Sequence, residues 1–452
     1  MEVVPDVAQS WDVSEGGRKY VFYLRDDVRW SDGAPVTAGD FQYAWKRALD
    51  PATGSPIASL LYDVRGARAF HQGKGARDEV GVRALDEVTL VVELEEPTAY
   101  FPYLLALRAT FPVPRHVVEA HGEAWTEMGK IVTNGPFRLE TWQPGGAGVL
   151  SRNPAYHGRF RGNLQQVELF LREDPSVILE VYEADGLDII WSLWNLPISE
   201  WNRTLQQHAE EYVSLPEMST HYVKFNVNWP PFDDPRVRRA FVLATDRETL
   251  ADVVTRGYVF PATGGFVPPG LPGHSAGIGL SYDPEKARQL LADAGYPDGL
   301  GFPVVHALAP QGREPWCEYL SAQWQENLGV DIPWETVEWT TFFDQLGRTQ
   351  PPIAIDGWVA DYPDPDNFLR VWLQQQQIDW RNETYARLVE KARRVMDQGE
   401  RMELYGQADR ILVKEAVIMP LVYRRWHMMV KPWVNKIPTW VIKWKDVIIE
   451  PH

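Results

Sequence analysis

Residues 8–33, AQSWDVSEGGRKYVFYLRDDVRWSDG, say more about the fold of this 452-residue chain than any other stretch. Within it, YVFYL at residues 20–24 places an apolar side chain at every second position. Such alternation turns one set of side chains toward one face of a sheet and predicts a half-buried strand. The same alternation predicts strands over residues 89–94 and 166–171.

Helices are predicted where an aspartate is followed by proline, at residues 234–235 and 283–284. A carboxylate cap followed by proline in the first turn is a common helix start, and the second helix ends at Gly295, a residue suited to the left-handed terminus. Helical spacing of apolar residues predicts further helices over 314–327, 383–397 and 399–415.

The order of these elements indicates the fold class. Strands and helices are interspersed without strict strand–helix alternation, which predicts a mixed α/β (α+β) protein of more than one domain. Proline-rich segments are candidate boundaries or rigid loops, and they fall near residues 111–114, 229–232, 267–269 and 362–365.

Composition narrows the classes of function. With 62 acidic and 45 basic side chains the formal charge is −17, which would repel a phosphate backbone, so no nucleic-acid partner is predicted. A single cysteine, Cys317, allows neither an internal disulfide nor a thiolate metal cluster.

Targeting signals are not predicted from the sequence. No stretch approaches 18 consecutive apolar residues, so no membrane span is predicted. The first residues, MEVVPDVAQSWDV, lack a basic region followed by an apolar run, so no signal peptide is predicted and we expect a cytosolic protein or a sequence without its natural beginning.

Short motifs that could carry chemistry lack their expected surroundings. GHSAG at residues 273–277 matches the G-x-S-x-G string of a hydrolase, but its flanks predict a surface loop rather than a strand and a helix. DYPDPDN at residues 361–367 carries three carboxylates but lacks the glycine and distant glutamate of a calcium loop. His116 and His121 miss the metalloprotease spacing, and GKG at residues 73–75 is no phosphate loop, so neither a metal nor a cofactor is predicted.

Tryptophan is the compositional anomaly of the chain. Its 20 indoles exceed what core packing normally recruits, because tryptophan is large and its N–H needs a partner. Most of them are expected in cores, and some in the wall of a peptide cleft or a stacking platform.

Residues 8–33 resemble the signature of the family 5 extracellular solute-binding proteins, the oligopeptide- and dipeptide-binding components of ABC importers. Further stretches match this family in the same order and at similar spacings, and the likeness is closest to its oligopeptide-binding members. These stretches are PVTAGDF at 35–41, DPATGSP at 50–56, IVTNGPF at 131–137, FN at 225–226, PFDDPRVRRA at 231–240, DR at 246–247, NLGV at 327–330 and GWVADY at 357–362.

The resemblance implies a two-lobed periplasmic-binding-protein-like fold with an extra third domain and a ligand cleft between the lobes. By this likeness residues 1–114 form the extra domain II, residues 115–218 with 428–452 form domain I, and residues 219–427 form domain III. The first few dozen residues of a typical member are expected to be missing, which would leave domain I with an exposed sheet edge.

The resemblance also implies a ligand-binding set. Asp361 matches a carboxylate that holds the α-ammonium group of a peptide, and Tyr362 follows it in the same motif. Trp358 and Trp339 match aromatic positions of the side-chain pockets, and Arg313 matches the partner of a ligand carboxylate.

Several positions depart from the family pattern. Leu346 and Ile355 stand where oligopeptide binders carry basic groups, and Ile57 stands where they carry a tyrosine. Ser219 and Val359 occupy the positions of a cysteine pair found in some members. The pocket is therefore expected to be less basic and more apolar, which leaves the length and class of the ligand open.

The function implied is capture of a peptide or similar solute by a non-enzymatic, monomeric receptor that delivers it to an ABC permease, in the periplasm or anchored at the cell surface. Two alternatives stay open from the sequence. One is a cytoplasmic solute-sensing module of a larger regulatory protein, and the other is a secreted hydrolase that uses the motif at residues 273–277.

Overall fold

The computed structural model describes residues 3–171, 174–194, 196–374, 380–436 and 443–451. The chain divides into two compact units, of which unit 1 comprises Met1–Leu215 with Trp426–His452 and unit 2 comprises Pro216–Arg425. Within the described residues no helix is long and apolar enough to cross a membrane. The finer division into three domains with a ligand cleft stays a prediction.

Unit 1 begins with a four-stranded antiparallel sheet in the order β1-β2-β4-β3 and continues with a three-stranded sheet, β5-β6-β7. Alternate side chains of β2, Tyr20, Phe22 and Leu24, are buried, which confirms the predicted half-buried strand. The elements in chain order are β1 (Ala8–Ser14), β2 (Lys19–Leu24), α1 (Ala38–Ala48), α2 (Ala67–His71), β3 (Val82–Ala84), β4 (Thr89–Glu93), α3 (Phe101–Leu104), α4 (Arg115–His121), β5 (Phe137–Gln143), β6 (Ala147–Arg152), β7 (Gln166–Phe170), α5 (Pro175–Glu183), β8 (Ile189–Ile190) and α6 (Ile198–Gln207).

Two long strands carry the chain between the units. β9 (Tyr212–Phe225) passes from unit 1 into unit 2 at Leu215 and Pro216, and β14 (Ile418–Val430) returns to unit 1 after Arg425. Between them lie α7 (Pro235–Leu243), α8 (Arg247–Thr249), β10 (Phe260–Pro261), α9 (Pro284–Asp293), β11 (Ala307–Pro310), α10 (Glu314–Leu328), β12 (Trp334–Val337), α11 (Trp339–Arg348), β13 (Ile353–Val359), α12 (Asp366–Leu369), α13 (Val371–Gln374), α14 (Glu383–Arg394) and α15 (Gln398–Lys414), and unit 1 closes with β15 (Val434–Asn435) and β16 (Ile448–Ile449).

The sheet of unit 2 is mixed and has the order β10-β14-β9-β13-β11-β12. β11 runs parallel to β12 and β13, while β13 runs antiparallel to β9. Helices cover both faces of this sheet. Phe225 of β9 packs on Phe241 of α7, whereas Tyr222, on the opposite face of the same strand, packs on Trp372 of α13.

Local sequence signals predicted these elements well. Asp234 and Asp283 cap α7 and α9 by accepting hydrogen bonds from backbone N–H groups, as expected for aspartate before proline. The helix predicted over residues 383–397 ends earlier, at Arg394, because Val395 has an extended backbone. That break allows Asp397 to cap α15 through the N–H of Glu400.

Candidate functional site

The motif GWVADY spans the last three residues of β13 and the first three of a short loop that leads into α12. Asn367, in the first turn of α12, connects two side chains of this region. Its Oδ1 accepts hydrogen bonds from Trp358 Nε1 at 2.9 Å and from the backbone N of Asp361 at 3.0 Å. Its Nδ2 donates to Asp361 Oδ2 at 3.1 Å. We call Trp358, Asp361 and Asn367 the Asp361 cluster.

Asp361 presents its carboxylate outward from this cluster. The residue is exposed, whereas Trp358 is half-buried and Asn367 is buried. Among the described residues, only Asn367 hydrogen-bonds to the Asp361 carboxylate, and it does so at Oδ2. The other oxygen, Oδ1, is therefore available to a cation from outside the chain.

The two other carboxylates of this loop are turned into the interior of unit 2. Arg401 donates from one nitrogen to both oxygens of Asp364, each at 2.9 Å. Asp366 accepts from the hydroxyl groups of Tyr362 at 2.9 Å and Tyr405 at 3.0 Å. We call these five residues the Asp366 anchor.

The charges of the Asp366 anchor are compensated within the fold. Burial lowers the pKa of Arg401, and the Asp364 carboxylate together with the Tyr405 hydroxyl raises it by more, so its net shift is upward. Burial raises the pKa of Asp364 against the lowering effect of Arg401. Arg370 and Arg393 lie 3.7 Å and 3.8 Å from the carboxylate of Asp366. Of the three carboxylates only Asp361 is therefore turned outward, and no group of three possible metal ligands occurs among the described residues.

Tyr362 has a different environment from that expected for a ligand contact. Its ring is buried and its hydroxyl donates to Asp366, so it supports the loop from inside. Its place in the ligand-binding set stays a prediction.

The strand register brings a second group of residues to the end of β13. Gly357 lies opposite His221 of β9, and a Cβ at this glycine would approach the imidazole within 2.7 Å. Only glycine leaves room for the ring at this position. Trp358 lies opposite Thr220, and because side chains alternate along a strand, it occupies the other face of the sheet.

Arg313 lies beside His221. Its guanidinium stacks 4.6 Å from the ring centre of Trp316, and one of its nitrogens lies 3.5 Å from His221 Nδ1. Burial, reinforced by the nearby Arg424, lowers the pKa of Arg313 to about 10, so it stays charged at neutral pH. No carboxylate among the described residues forms an ion pair with it.

His221 is kept neutral in this surrounding. Burial lowers its pKa well below the ordinary value, and the positive charges of Arg313 and Arg424 add to the effect. If Arg313 donates to Nδ1, then Nε2 carries the proton, and this buried atom has no hydrogen-bond partner among the described residues.

Sequence reasoning did not find the polar row on this face of β9. Glu217, Ser219 and His221 alternate along the strand and are all buried. Ser219, where some relatives carry a cysteine, donates to Glu217 Oε2 at 3.0 Å, and Arg424 of β14 lies 3.2 Å from the same oxygen. Polar residues at every second position from Glu217 to His221 were the available signal.

Trp339 stands at the start of α11. It is 52% exposed, and Phe343, whose ring lies edge-on to it at 4.9 Å, is 47% exposed. The inner side of the helix is held by Phe342 and Leu346, which pack with Leu308 and Ala354. Leu346, a position where oligopeptide binders carry a basic group, is therefore a core residue here.

The predicted ligand residues thus fall into three places in unit 2. Trp358 and Asp361 are joined by Asn367, Arg313 lies across the sheet beside His221 and Gly357, and Trp339 forms an exposed aromatic pair on α11. Their roles in binding stay predictions.

Comparison with known proteins gives these features a context. Residues 2–380 match the model of the bacterial extracellular solute-binding proteins, family 5 Middle. The chain is 33% identical over 450 residues to the probable deoxycholate-binding periplasmic protein YgiS of Escherichia coli (strain K12), a match that covers 97% of this chain and 83% of that protein.

Two further similarities concern peptide binders. The periplasmic oligopeptide-binding protein OppA of Escherichia coli (strain K12) is 33% identical over 444 residues, which covers 95% of this chain and 81% of that protein. The structure of the Escherichia coli murein tripeptide binding protein MppA aligns with a TM-score of 0.82 at 29% identity, over 99% of this chain and 90% of that one. The fold class expected from the sequence is confirmed by this likeness.

Proposed function

The chain belongs to the bacterial extracellular solute-binding proteins of family 5, and on this basis we propose that it captures a peptide and delivers it to the membrane permease of an ABC transporter. The family places it in the periplasm or at the cell surface. The observation that carries the choice of a peptide is the exposed carboxylate of Asp361, held by Asn367 beside an indole.

The Asp361 cluster suits the amino terminus of a peptide. An ammonium group can donate to Asp361 Oδ1 in a charge-assisted hydrogen bond, which is roughly twice as strong as a neutral one. The half-buried indole of Trp358 supplies apolar contact next to that charge.

Arg313 suits a negatively charged group of the ligand. A guanidinium that is stacked on an aromatic ring and has no carboxylate partner in the described part of the chain is pre-oriented for a ligand carboxylate. Nε2 of His221, which has no hydrogen-bond partner in the described part of the chain, supports a polar role for the same face of β9.

The names of the relatives reported above point to two classes of ligand, peptides and deoxycholate. Peptides carry both an ammonium group and a carboxylate, whereas deoxycholate carries a carboxylate alone. Arg313 would accept either class, but Asp361 favours a ligand that brings a positive charge. We therefore prefer a peptide over a steroid carboxylate.

The proposed activity is binding without catalysis. Residues 273–277, the G-x-S-x-G string, lie in a loop with neither a strand before nor a helix directly after Ser275, so the geometry of a nucleophile elbow is not present. The relatives reported above are named as binding proteins.

Thermal unfolding with candidate ligands tests the proposal. Peptides of two to five residues and deoxycholate are added separately at concentrations well above the expected Kd. A ligand present at 100 times its Kd stabilises the folded state by about 2.7 kcal/mol, which raises Tm measurably. A rise with peptides and none with deoxycholate supports the proposal, while a rise with deoxycholate alone, or with neither, contradicts it.

Mass spectrometry of material that co-purifies with the protein identifies the ligand directly. Peptides with a free amino terminus are the expected finding.

A further inference from the structure

We propose that Asn367 is a positioning residue that sets the orientation of both Asp361 and Trp358 for receiving the amino terminus of the ligand. The inference deepens the proposed function and rests on it, since it concerns how the same site selects a free ammonium group. Asn367 lies outside the GWVADY motif and was not among the residues predicted to bind ligand.

The carboxamide of Asn367 has one orientation that fits its surroundings. Both groups that approach Oδ1 are N–H donors, one from Trp358 and one from the backbone of Asp361. The group that faces Nδ2 is a carboxylate, which can only accept. If the oxygen and nitrogen were exchanged, the NH₂ group would face two N–H donors and the oxygen would face a carboxylate. The hydrogen-bond partners therefore fix the orientation of the amide.

This arrangement decides which carboxylate oxygen of Asp361 is presented. An exposed aspartate ordinarily samples several rotamers, and ordering it on binding costs free energy. Because Nδ2 holds Oδ2, the side chain is ordered before the ligand arrives and Oδ1 points away from Asn367. The same amide also accepts a hydrogen bond from the indole N–H of Trp358. The carboxylate of Asp361 and the ring of Trp358 are therefore held in a fixed position relative to each other.

Asn367 can serve this purpose because its own position is fixed. Asn367 as a whole residue is only 7% exposed, and the preceding residue, Asp366, is held by the hydroxyl groups of Tyr362 and Tyr405. The Asp366 anchor thus restrains the backbone from which the amide reaches outward. A buried support for an exposed functional group gives more precise geometry than the loop could maintain alone.

The experiment compares one peptide in two forms, with a free and with an acetylated amino terminus, by titration calorimetry. The proteins are wild type, Asn367→Ala, Asp361→Ala and the double variant. We expect Asn367→Ala to lower the preference for the free form about tenfold, because the acetylated peptide makes no ion pair with Asp361. In the double variant the preference should fall no further than in Asp361→Ala alone.

Asn327→Ala is the matched control. Asn327 is 6% exposed, also lies in unit 2, and donates to the backbone oxygen of Ala244 at 2.9 Å. This variant is expected to lose stability, as Asn367→Ala does, without a change in the preference for the free amino terminus.

The outcomes distinguish a failure of the inference about Asn367 from a failure of the proposed function. Equal weakening of both peptide forms by Asn367→Ala, or additive effects in the double variant, would overturn the inference while leaving the proposed function intact. Failure of wild type to bind either form would overturn the proposed function and the inference with it. If Asn367→Ala does not fold, Trp358→Phe removes one donor to the amide, and an unchanged preference in that variant would also overturn the inference.

Discussion

The Asp361 cluster and the Asp366 anchor take their aspartates from one short stretch, residues 361–366, and use this residue type for opposite purposes. In the anchor, Asp364 and Asp366 are buried and receive arginine and tyrosine donors. In the cluster, Asp361 is exposed and has one side-chain partner among the described residues. The difference shows that a carboxylate whose charge is satisfied inside the fold supports structure, and one left unsatisfied at the surface can serve a ligand.

The largest expected effect comes from breaking the anchor. Arg401→Met leaves the carboxylate of Asp364 buried without its cation, and removing one partner of a buried pair typically costs about 3–5 kcal/mol. Chemical denaturation should show this loss in the free energy of unfolding. A loss below about 1 kcal/mol would mean that the anchor is not the structural element described above.

Another buried carboxylate, Asp409, extends the comparison because it has backbone partners in place of an arginine. It accepts from the N–H groups of Phe266 at 2.7 Å and Val267 at 3.3 Å. Burial raises its pKa to about 7, against the lowering effect of these two hydrogen bonds. The folded state therefore favours the protonated carboxyl, and stability that is fully present below the ordinary pKa of 3.8 is lost as pH rises through about 7.

Asp409→Asn removes this titration. The free energy of unfolding of the variant, relative to wild type, should increase by up to about 4 kcal/mol between pH 4 and pH 8. Any cost of placing an amide there is the same at both pH values and cancels in this comparison. A difference that does not change with pH would show that Asp409 does not titrate in this range.

A change at Asp361 should weaken ligand binding and leave stability almost unchanged, whereas Arg401→Met is expected to lower stability. Asp361→Ala is expected to reduce affinity for a peptide with a free amino terminus by about 2 kcal/mol, or roughly 30-fold, through loss of a charge-assisted hydrogen bond. Its free energy of unfolding should change by less than about 0.5 kcal/mol, because the carboxylate is exposed. Calorimetric titration and denaturation of the same preparation check both values, and a large loss of stability would erase the contrast with the anchor.

The smallest effect is expected at an exposed ion pair of unit 2. Arg348 and Asp344 lie 2.8 Å apart on α11, with side chains 78% and 50% exposed. Asp344→Ala should change the free energy of unfolding by no more than about 0.5 kcal/mol, as is usual for such helical pairs. A cost similar to that of Arg401→Met would show that burial is not what separates the two pairs.

The sequence predicted much of the local structure and part of the candidate site. Alternation in residues 20–24 and the caps at Asp234 and Asp283 depend on neighbours a few positions away, and the structure has the strand and both helices. Family motifs drew attention to Asp361 and Trp358, which do lie together. The boundaries between the units were harder to find from residue patterns, because β9 and β14 continue across them as unbroken strands.

What the sequence determined by itself was several of the strands and helices, the mixed α/β class and the family, since these follow from short-range periodicity and from ordered motifs along the chain. Only the tertiary structure decided which aspartates of DYPDPDN are buried, because the partner of Asp364 lies 37 residues away. Likewise, the pairing of β9 with β13 placed His221 over Gly357. Partners distant in sequence determine burial, and burial determines whether a charge is compensated inside the fold or stays exposed at its surface.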